Sequence, residues 1–123
     1  MSEHTIDLDW EYAPNPVAAD TFTRNHQVSL SGGQQVQVSA SPDFKGDPSC
    51  ADPEQLLVSA LASCHMLTFL AIAQIKGYRV TGYRDKATGF LEKGESGKPM
   101  LTRIELQPHI EFAGEKVPDA DQL

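Results

Sequence analysis

Residues 56–75 are the most apolar stretch of the chain, with twenty consecutive positions that carry no formal charge. Asp52 precedes them as a good helix N-cap, and Gln55 follows it at the spacing of a capping box. Gly77 stands where helices commonly end in a left-handed residue. Together these signals predict one helix over residues 53–76, about 36 Å long.

An uncharged run of this length also has the size of a membrane span. It carries six polar side chains, however, among them Ser59, Ser63 and His65, and the segments on either side alternate like strands of a soluble sheet. We therefore expect a helix that is buried nearly all round in a soluble fold. A domain of this size cannot easily surround such a helix, so we expect a partner subunit to cover one face.

Alternating apolar and polar residues predict strands on both sides of the helix. The predicted strands cover residues 6–10, 24–30 and 34–40 before the helix and residues 78–92 and 100–112 after it. Gly82 and Gly89 suggest bulges, and Pro108 suggests an edge strand or another bulge. The order β-β-β-α-β-β predicts an α+β fold, with a single domain over residues 1–123.

The composition and charge of the chain argue against several classes of function. A net charge of -7 argues against binding to nucleic acid and against docking on an anionic membrane. Two cysteines are too few for a disulfide scaffold, and the segment from Met1 to Asp20 lacks the apolar core of a secretion signal, so we expect a cytoplasmic protein. The four histidines are scattered and no C-x-x-C occurs, so we expect no metal site, and no dinucleotide or phosphate-binding motif points to a cofactor.

Cys64, in the middle of the predicted helix, is the first candidate for chemistry. Free cysteines are often inert core residues, but Gln55, Ser59 and Ser63 form a polar stripe beside this one. The helix dipole fades within a turn, so a reactive thiolate at Cys64 needs a nearby cation. Cys50 lies in the loop before the helix, at the limit of its reach to Cys64, and we expect no bridge between them.

The helix start Asp52-Pro53-Glu54-Gln55 and the later segment Ala62-Ser63-Cys64-His65-Met66 resemble the central helix of the OsmC/Ohr family. Members of this family are thiol-dependent peroxidases that act on organic hydroperoxides. The continuation Cys64-His65-Met66 is similar to the OsmC-like branch. The strand that begins at Arg24, the hairpin at Gly32-Gly33 and residues 102–106 fit the same layout, so the resemblance covers essentially the whole chain.

The resemblance implies an intertwined homodimer with two long helices at its centre and active sites at the subunit interface. Cys64 would be the reactive cysteine, and Glu54 its acidic partner, which together with an arginine fixes and polarises the thiolate. Arg24 matches the family's arginine best, and Arg84 and Arg103 are the weaker candidates. The substrate would be a small organic hydroperoxide, and a thiol reductant would recycle the enzyme.

The sequence departs from the family at its end. Family members carry a second, resolving cysteine in a helix after the last strand, whereas this chain stops at Leu123. Residues 118–123 have the sequence pattern of a helix N-terminus. We therefore expect a domain without its C-terminal helix, by truncation or by nature. The alternative function is a non-enzymatic, dimeric OsmC-like protein that binds a small apolar molecule and in which Cys64 is structural.

Overall fold

The computed structural model describes residues 2–114, and the helix opening predicted at residues 118–123 lies outside them. The described chain is α+β, as the sequence predicts. Its elements are β1 (Asp7–Asp9), β2 (His26–Ser29), β3 (Gln35–Val38), α1 (Pro53–Ile75), β4 (Arg79–Asp85), β5 (Thr88–Lys93), β6 (Pro99–Glu105) and β7 (Pro108–Ala113). The chain divides into two compact units, at Leu56–Leu57 within the helix.

Both predicted ends of the helix are confirmed. The Gln55 amide donates to Asp52 Oδ1 at 2.8 Å and the Asp52 amide donates to Gln55 Oε1 at 3.1 Å, which is a complete capping box. Gly77 has a φ of +83°, and the Tyr78 amide donates to the Ala73 carbonyl at 2.9 Å. This closing pattern needs a left-handed residue, so it stops the helix at the glycine.

The first unit, up to Leu56, is built on an antiparallel sheet in the order β1-β2-β3. The predicted hairpin is confirmed: Val28 of β2 faces Val36 of β3, and a short turn over Ser31–Gly33 joins the two strands. Val38, at the end of β3, is 1% exposed and forms a parallel bridge with Ala51. The bridge fixes the segment that enters the helix against the edge of the sheet.

The second unit contains the rest of α1 and two antiparallel strand pairs, β4 with β7 and β5 with β6. The prediction of one strand over residues 100–112 is wrong, and so is the count of two strands after the helix. Pro108 has no amide hydrogen to extend a ladder, and the preceding Gln107 amide donates at 2.7 Å to Asp85 Oδ1 instead. The chain therefore changes its strand partner at this point.

The predicted bulge at Gly82 is confirmed, whereas the second bulge falls between Phe90 and Leu91.

Within this unit the helix contacts the strands through a few side chains. The Phe69 ring lies 6.0 Å from the Tyr83 ring and 6.4 Å from the Phe112 ring, measured between centroids. Strand β5 passes so close to the helix that a Cβ on Gly89 would lie 2.6 Å from Cγ2 of Val58. Glycine at this position allows the approach.

Most of the helix surface is exposed in the single chain. Only Val58 and Ala73 of α1 are buried, while Leu57, Leu67 and Ile75 are 55%, 60% and 85% exposed. The predicted burial of the helix thus does not hold within one chain. By length and composition alone α1 is also apolar enough to cross a membrane. An exposed apolar surface of this size is typical of an interaction site.

Candidate functional site

Arg24 lies in the segment that leads into β2, and its guanidinium is held by its own neighbours. The guanidinium carbon lies 3.8 Å from the centroid of the Phe22 ring. Nη1 donates to Thr21 Oγ1 at 3.2 Å and to the Phe22 carbonyl. Such a cation on a ring face is stabilised by the negative charge of the π system. Arg24 is therefore an oriented cation at a partly buried position.

Glu54 lies in the first turn of α1, where the helix dipole favours a negative charge. Its Oε2 atom is buried and accepts no hydrogen bond from any described residue. A buried carboxylate oxygen without a donor is costly, so such groups are rare and suggest a missing partner. Within the described residues no ion pair joins Glu54 to Arg24.

Arg24 and Glu54 line the same pocket, which has a volume of about 350 Å³ and lies within the first unit. Its walls are largely apolar and include the aromatic side chains of Trp10, Phe22 and Phe44. The structure therefore brings together two of the three predicted site residues, which stand far apart in the sequence. A cation and a carboxylate in an apolar, aromatic pocket suit a small molecule with one polar end and an apolar body.

The loop before the helix is held by Asp47. Its Oδ1 accepts from the Ser49 amide at 2.9 Å and from the Ser49 hydroxyl at 2.7 Å, and its Oδ2 accepts from Asn25 Nδ2 at 3.2 Å. These donors, above all the Ser49 hydroxyl, hold the pKa of the Asp47 carboxyl below its usual range. The Asp47 amide in turn donates to the hydroxyl of buried Ser39. This network connects the loop to the sheet and so helps to fix the start of the helix that carries Glu54.

Cys64 is a free thiol on the exposed surface of α1. Ten helical positions separate it from Glu54, a rise of about 15 Å, so the two side chains of one helix do not meet. Cys50 is free and partly buried in the loop before the helix, where its amide donates to the Asp47 carbonyl. Among the described residues no three metal-ligating side chains come together.

The two alternative arginines are engaged elsewhere. Arg84 lies 3.8 Å from the Glu111 carboxylate, and its side chain is 82% exposed. Arg103 lies 3.7 Å from Glu92 and packs over the Phe90 ring. Exposed ion pairs of this kind contribute little and imply no site. Of the three candidates, only Arg24 lines the pocket of Glu54.

The aromatic walls are the part of the pocket that the sequence analysis missed. Phe22 stands two positions before Arg24, the spacing that puts side chains on one face of an extended segment, and this was a readable signal. Trp10 contacts Phe22 edge to face at 6.1 Å between centroids, and its Nε1 donates to the Thr23 carbonyl at 3.0 Å. For Trp10 and Phe44, nothing in the sequence distinguishes a residue that lines a pocket from an ordinary core residue.

Comparison with known proteins agrees with this fold. The sequence profile of OsmC-like proteins matches residues 46–122. An OsmC-like protein of unknown function from Vibrio cholerae superposes with a TM-score of 0.89 at 35% identity, over 99% of this chain and 82% of its own. An OsmC-like protein from Mycoplasma pneumoniae shares the fold, with a TM-score of 0.65 at 18% identity over 94% of this chain and 73% of its own. No curated protein matches. The chain therefore belongs to the OsmC-like protein family.

Proposed function

We propose that this protein is a cytoplasmic, thiol-dependent peroxidase that reduces small organic hydroperoxides to alcohols and works as a homodimer. The observation that carries the proposal is the pocket in which Arg24 and the unpartnered Oε2 of Glu54 meet aromatic walls within the described part of the chain. A hydroperoxide has an O–H that can donate to this oxygen, a peroxide oxygen that can accept from a guanidinium, and an apolar body that fits the walls.

The thiol comes from a second chain in this proposal. Because about 15 Å of helix separates Glu54 from Cys64 of the same chain, the Cys64 that acts at the pocket belongs to the partner subunit. The exposed leucines of α1 support this arrangement, since two such helices packed together would remove a large apolar surface from water. A site shared in this way exists only in the dimer.

The reaction needs only these groups. The Arg24 guanidinium favours the thiolate form of Cys64, and the thiolate sulfur attacks the terminal oxygen of the hydroperoxide. A sulfur–oxygen bond forms as the oxygen–oxygen bond breaks, the alkoxide leaves, and a proton from water converts it to the alcohol. Sulfur is oxidised to a sulfenic acid and the peroxide is reduced. A thiol group of an external reductant then condenses with the sulfenic acid to a mixed disulfide, with loss of water, and a second thiol group of the reductant releases Cys64 and forms the reductant's own disulfide.

A single-turnover experiment tests the assignment of Cys64. Reduced protein is mixed with cumene hydroperoxide, and both the remaining hydroperoxide and the sulfenic acid trapped by dimedone are measured. We expect about one equivalent to be consumed per chain in the wild type and in Cys50→Ser. We expect none in Cys64→Ser. Equal losses in the two cysteine variants would overturn the proposal.

The pocket residues are tested in the Cys50→Ser background, so that iodoacetamide reports Cys64 alone. Arg24→Met should slow both alkylation at pH 7 and hydroperoxide consumption about tenfold or more, since it removes the cation that favours the thiolate. Glu54→Gln should impair turnover more than alkylation, because it acts on orientation. Arg79→Met removes an exposed arginine from β4 and is the matched control. If Arg24→Met behaves like this control, Arg24 is not the activating cation.

One observation favours the alternative of a non-enzymatic binding protein: neither cysteine of the same chain, both of which the structure describes, lines the aromatic pocket. Under that alternative Cys64→Ser binds cumyl alcohol as the wild type does, and neither protein consumes hydroperoxide. Under the peroxidase proposal both bind the alcohol and only the wild type turns over. Hydroperoxide consumption by the wild type therefore separates the functions, and alcohol binding shows that the pocket is intact in both proteins.

A further inference from the structure

The guanidinium of Arg24 is oriented by aromatic side chains that take no part in the bond changes of the reaction described above. The ring of Phe22 faces the guanidinium at 3.8 Å, while the edge of that ring meets Trp10 at an interplanar angle of 90°. Trp10 is itself fixed, because its Nε1 donates to the carbonyl of buried Thr23. The three side chains therefore form a series in which each one limits the movement of the next.

We propose that Phe22 is a positioning residue that holds the Arg24 guanidinium at the pocket, with Trp10 supporting the ring. The proposal rests on the proposed function for its effect on turnover. Its structural part, the contact itself, can be tested without any activity. Phe22 touches no reacting atom in the mechanism above and would act only through Arg24.

Geometry explains why the contact would matter. A long, flexible arginine on a surface samples many rotamers, and holding one of them costs conformational entropy. Nη1 is already bonded to Thr21 Oγ1 and to the Phe22 carbonyl, and the ring covers the guanidinium face that these bonds leave open. The in-plane donors that these two bonds do not use can face a substrate oxygen or a thiolate. Phe22 is 46% exposed, so its ring is poorly explained as core packing.

The first experiment measures the contact. The side-chain resonances of Arg24 should show an upfield ring-current shift in the wild type and in Phe22→Tyr, and lose it in Phe22→Leu. Phe90→Leu is the matched control, because it removes a second arginine–phenylalanine contact, the one made by Arg103 at 4.2 Å. An Arg24 spectrum that does not change in Phe22→Leu would overturn the proposal, whatever the protein's activity.

The second experiment measures the consequence in the Cys50→Ser background. Phe22→Leu should lower both the alkylation rate of Cys64 and the hydroperoxide turnover about tenfold. This loss is smaller than the roughly hundredfold decrease in rate that a displacement of a reacting group by about 1 Å can cause. Phe22→Tyr should restore both rates. A trifluorinated phenylalanine at position 22 keeps the shape of the ring but weakens its negative face, and should give an intermediate rate. This last variant also decides the question if Phe22→Leu does not fold.

The Arg24→Met background separates the two proposals. If Phe22 acts through Arg24, Phe22→Leu has no further effect on either rate once Arg24 is gone. An equal loss in both backgrounds would mean that Phe22 acts only as a wall of the pocket and not through Arg24, and would overturn the positioning role. If Arg24→Met alone leaves both rates unchanged while the wild type shows the ring-current shift, the contact is present but Arg24 is not the activating cation, and the effect on turnover assigned to Phe22 is overturned with it.

Discussion

The exposed face of α1 makes the proposed homodimer the most directly measurable of the predictions. Leu67 lies in the middle of this face and is 60% exposed in the single chain. If two copies of α1 pack together, Leu67→Ala should weaken the dimer without unfolding the chain, because it removes a side chain that is mostly exposed in the monomer.

The expected size follows from the exposed fraction. Burying a whole leucine side chain contributes about 1.5–3 kcal/mol, so the 60% that remains open corresponds to about 1–2 kcal/mol per chain. A two-fold interface contains the residue twice, which gives about 2–4 kcal/mol per dimer. Since each step of about 1.4 kcal/mol changes an equilibrium constant about tenfold, the dimer Kd should rise roughly 30- to 700-fold.

Sedimentation equilibrium over a dilution series measures this Kd directly, against a chain mass of 13.4 kDa. Leu30→Ala is the control, since Leu30 is 39% exposed beside the β2–β3 turn and lies outside the helix. A folded wild type that sediments at the mass of a single chain would refute the reasoning. So would a Leu67→Ala dimer as tight as the control. Co-sedimentation of the wild type with lipid vesicles would instead favour the membrane alternative.

Two further predictions concern stability. The donors around Asp47 lower the pKa of its carboxyl below 3.8, so this group stabilises the fold above that pH and the contribution is lost as the pH falls through the lowered value. Asp47→Asn should therefore reduce the acid dependence of the urea midpoint, and an unchanged dependence would contradict the assignment. Burial, with a smaller effect of the Asp85 charge, raises the pKa of Tyr83, whose buried hydroxyl has no hydrogen-bond partner among the described residues. Tyr83→Phe should leave the free energy of unfolding unchanged or raise it by about 1 kcal/mol, whereas a clear loss in thermal melts would reveal a partner for the hydroxyl.

The helix and its ends could be predicted from the sequence because their causes are local. The capping box of Asp52 and Gln55 joins residues three apart, and Gly77 ends the helix through its own backbone preference. The hairpin of β2 and β3 is similarly short-ranged, since alternation and a glycine turn specify it between His26 and Val38, which pair with each other at its open end. The family resemblance rested on the same helix and is confirmed.

Pairing after the helix was decided by tertiary structure. Nothing within residues 100–112 shows that β6 returns to β5 while β7 crosses to β4, because ladder partners depend on the whole sheet and not on one strand. Pro108 marked the position of the change but not its outcome. Burial of the helix likewise depends on the elements packed around it. An apolar sequence indicates that such elements are needed but does not show which ones they are.

The sequence made Cys64 a candidate through its residue type and its place in the helix, whereas Arg24 and Glu54 were candidates because of the family resemblance. Only the fold decided that Arg24 and Glu54 share one pocket, that Phe22 lies under the guanidinium, and that Glu54 Oε2 is left without a donor among the described residues. These facts depend on positions as distant in the chain as Trp10 and Glu54, and a linear pattern carries no distance between such positions. The helical rise between Glu54 and Cys64 is the exception, since the sequence spacing and the geometry of an α-helix together are enough to separate them.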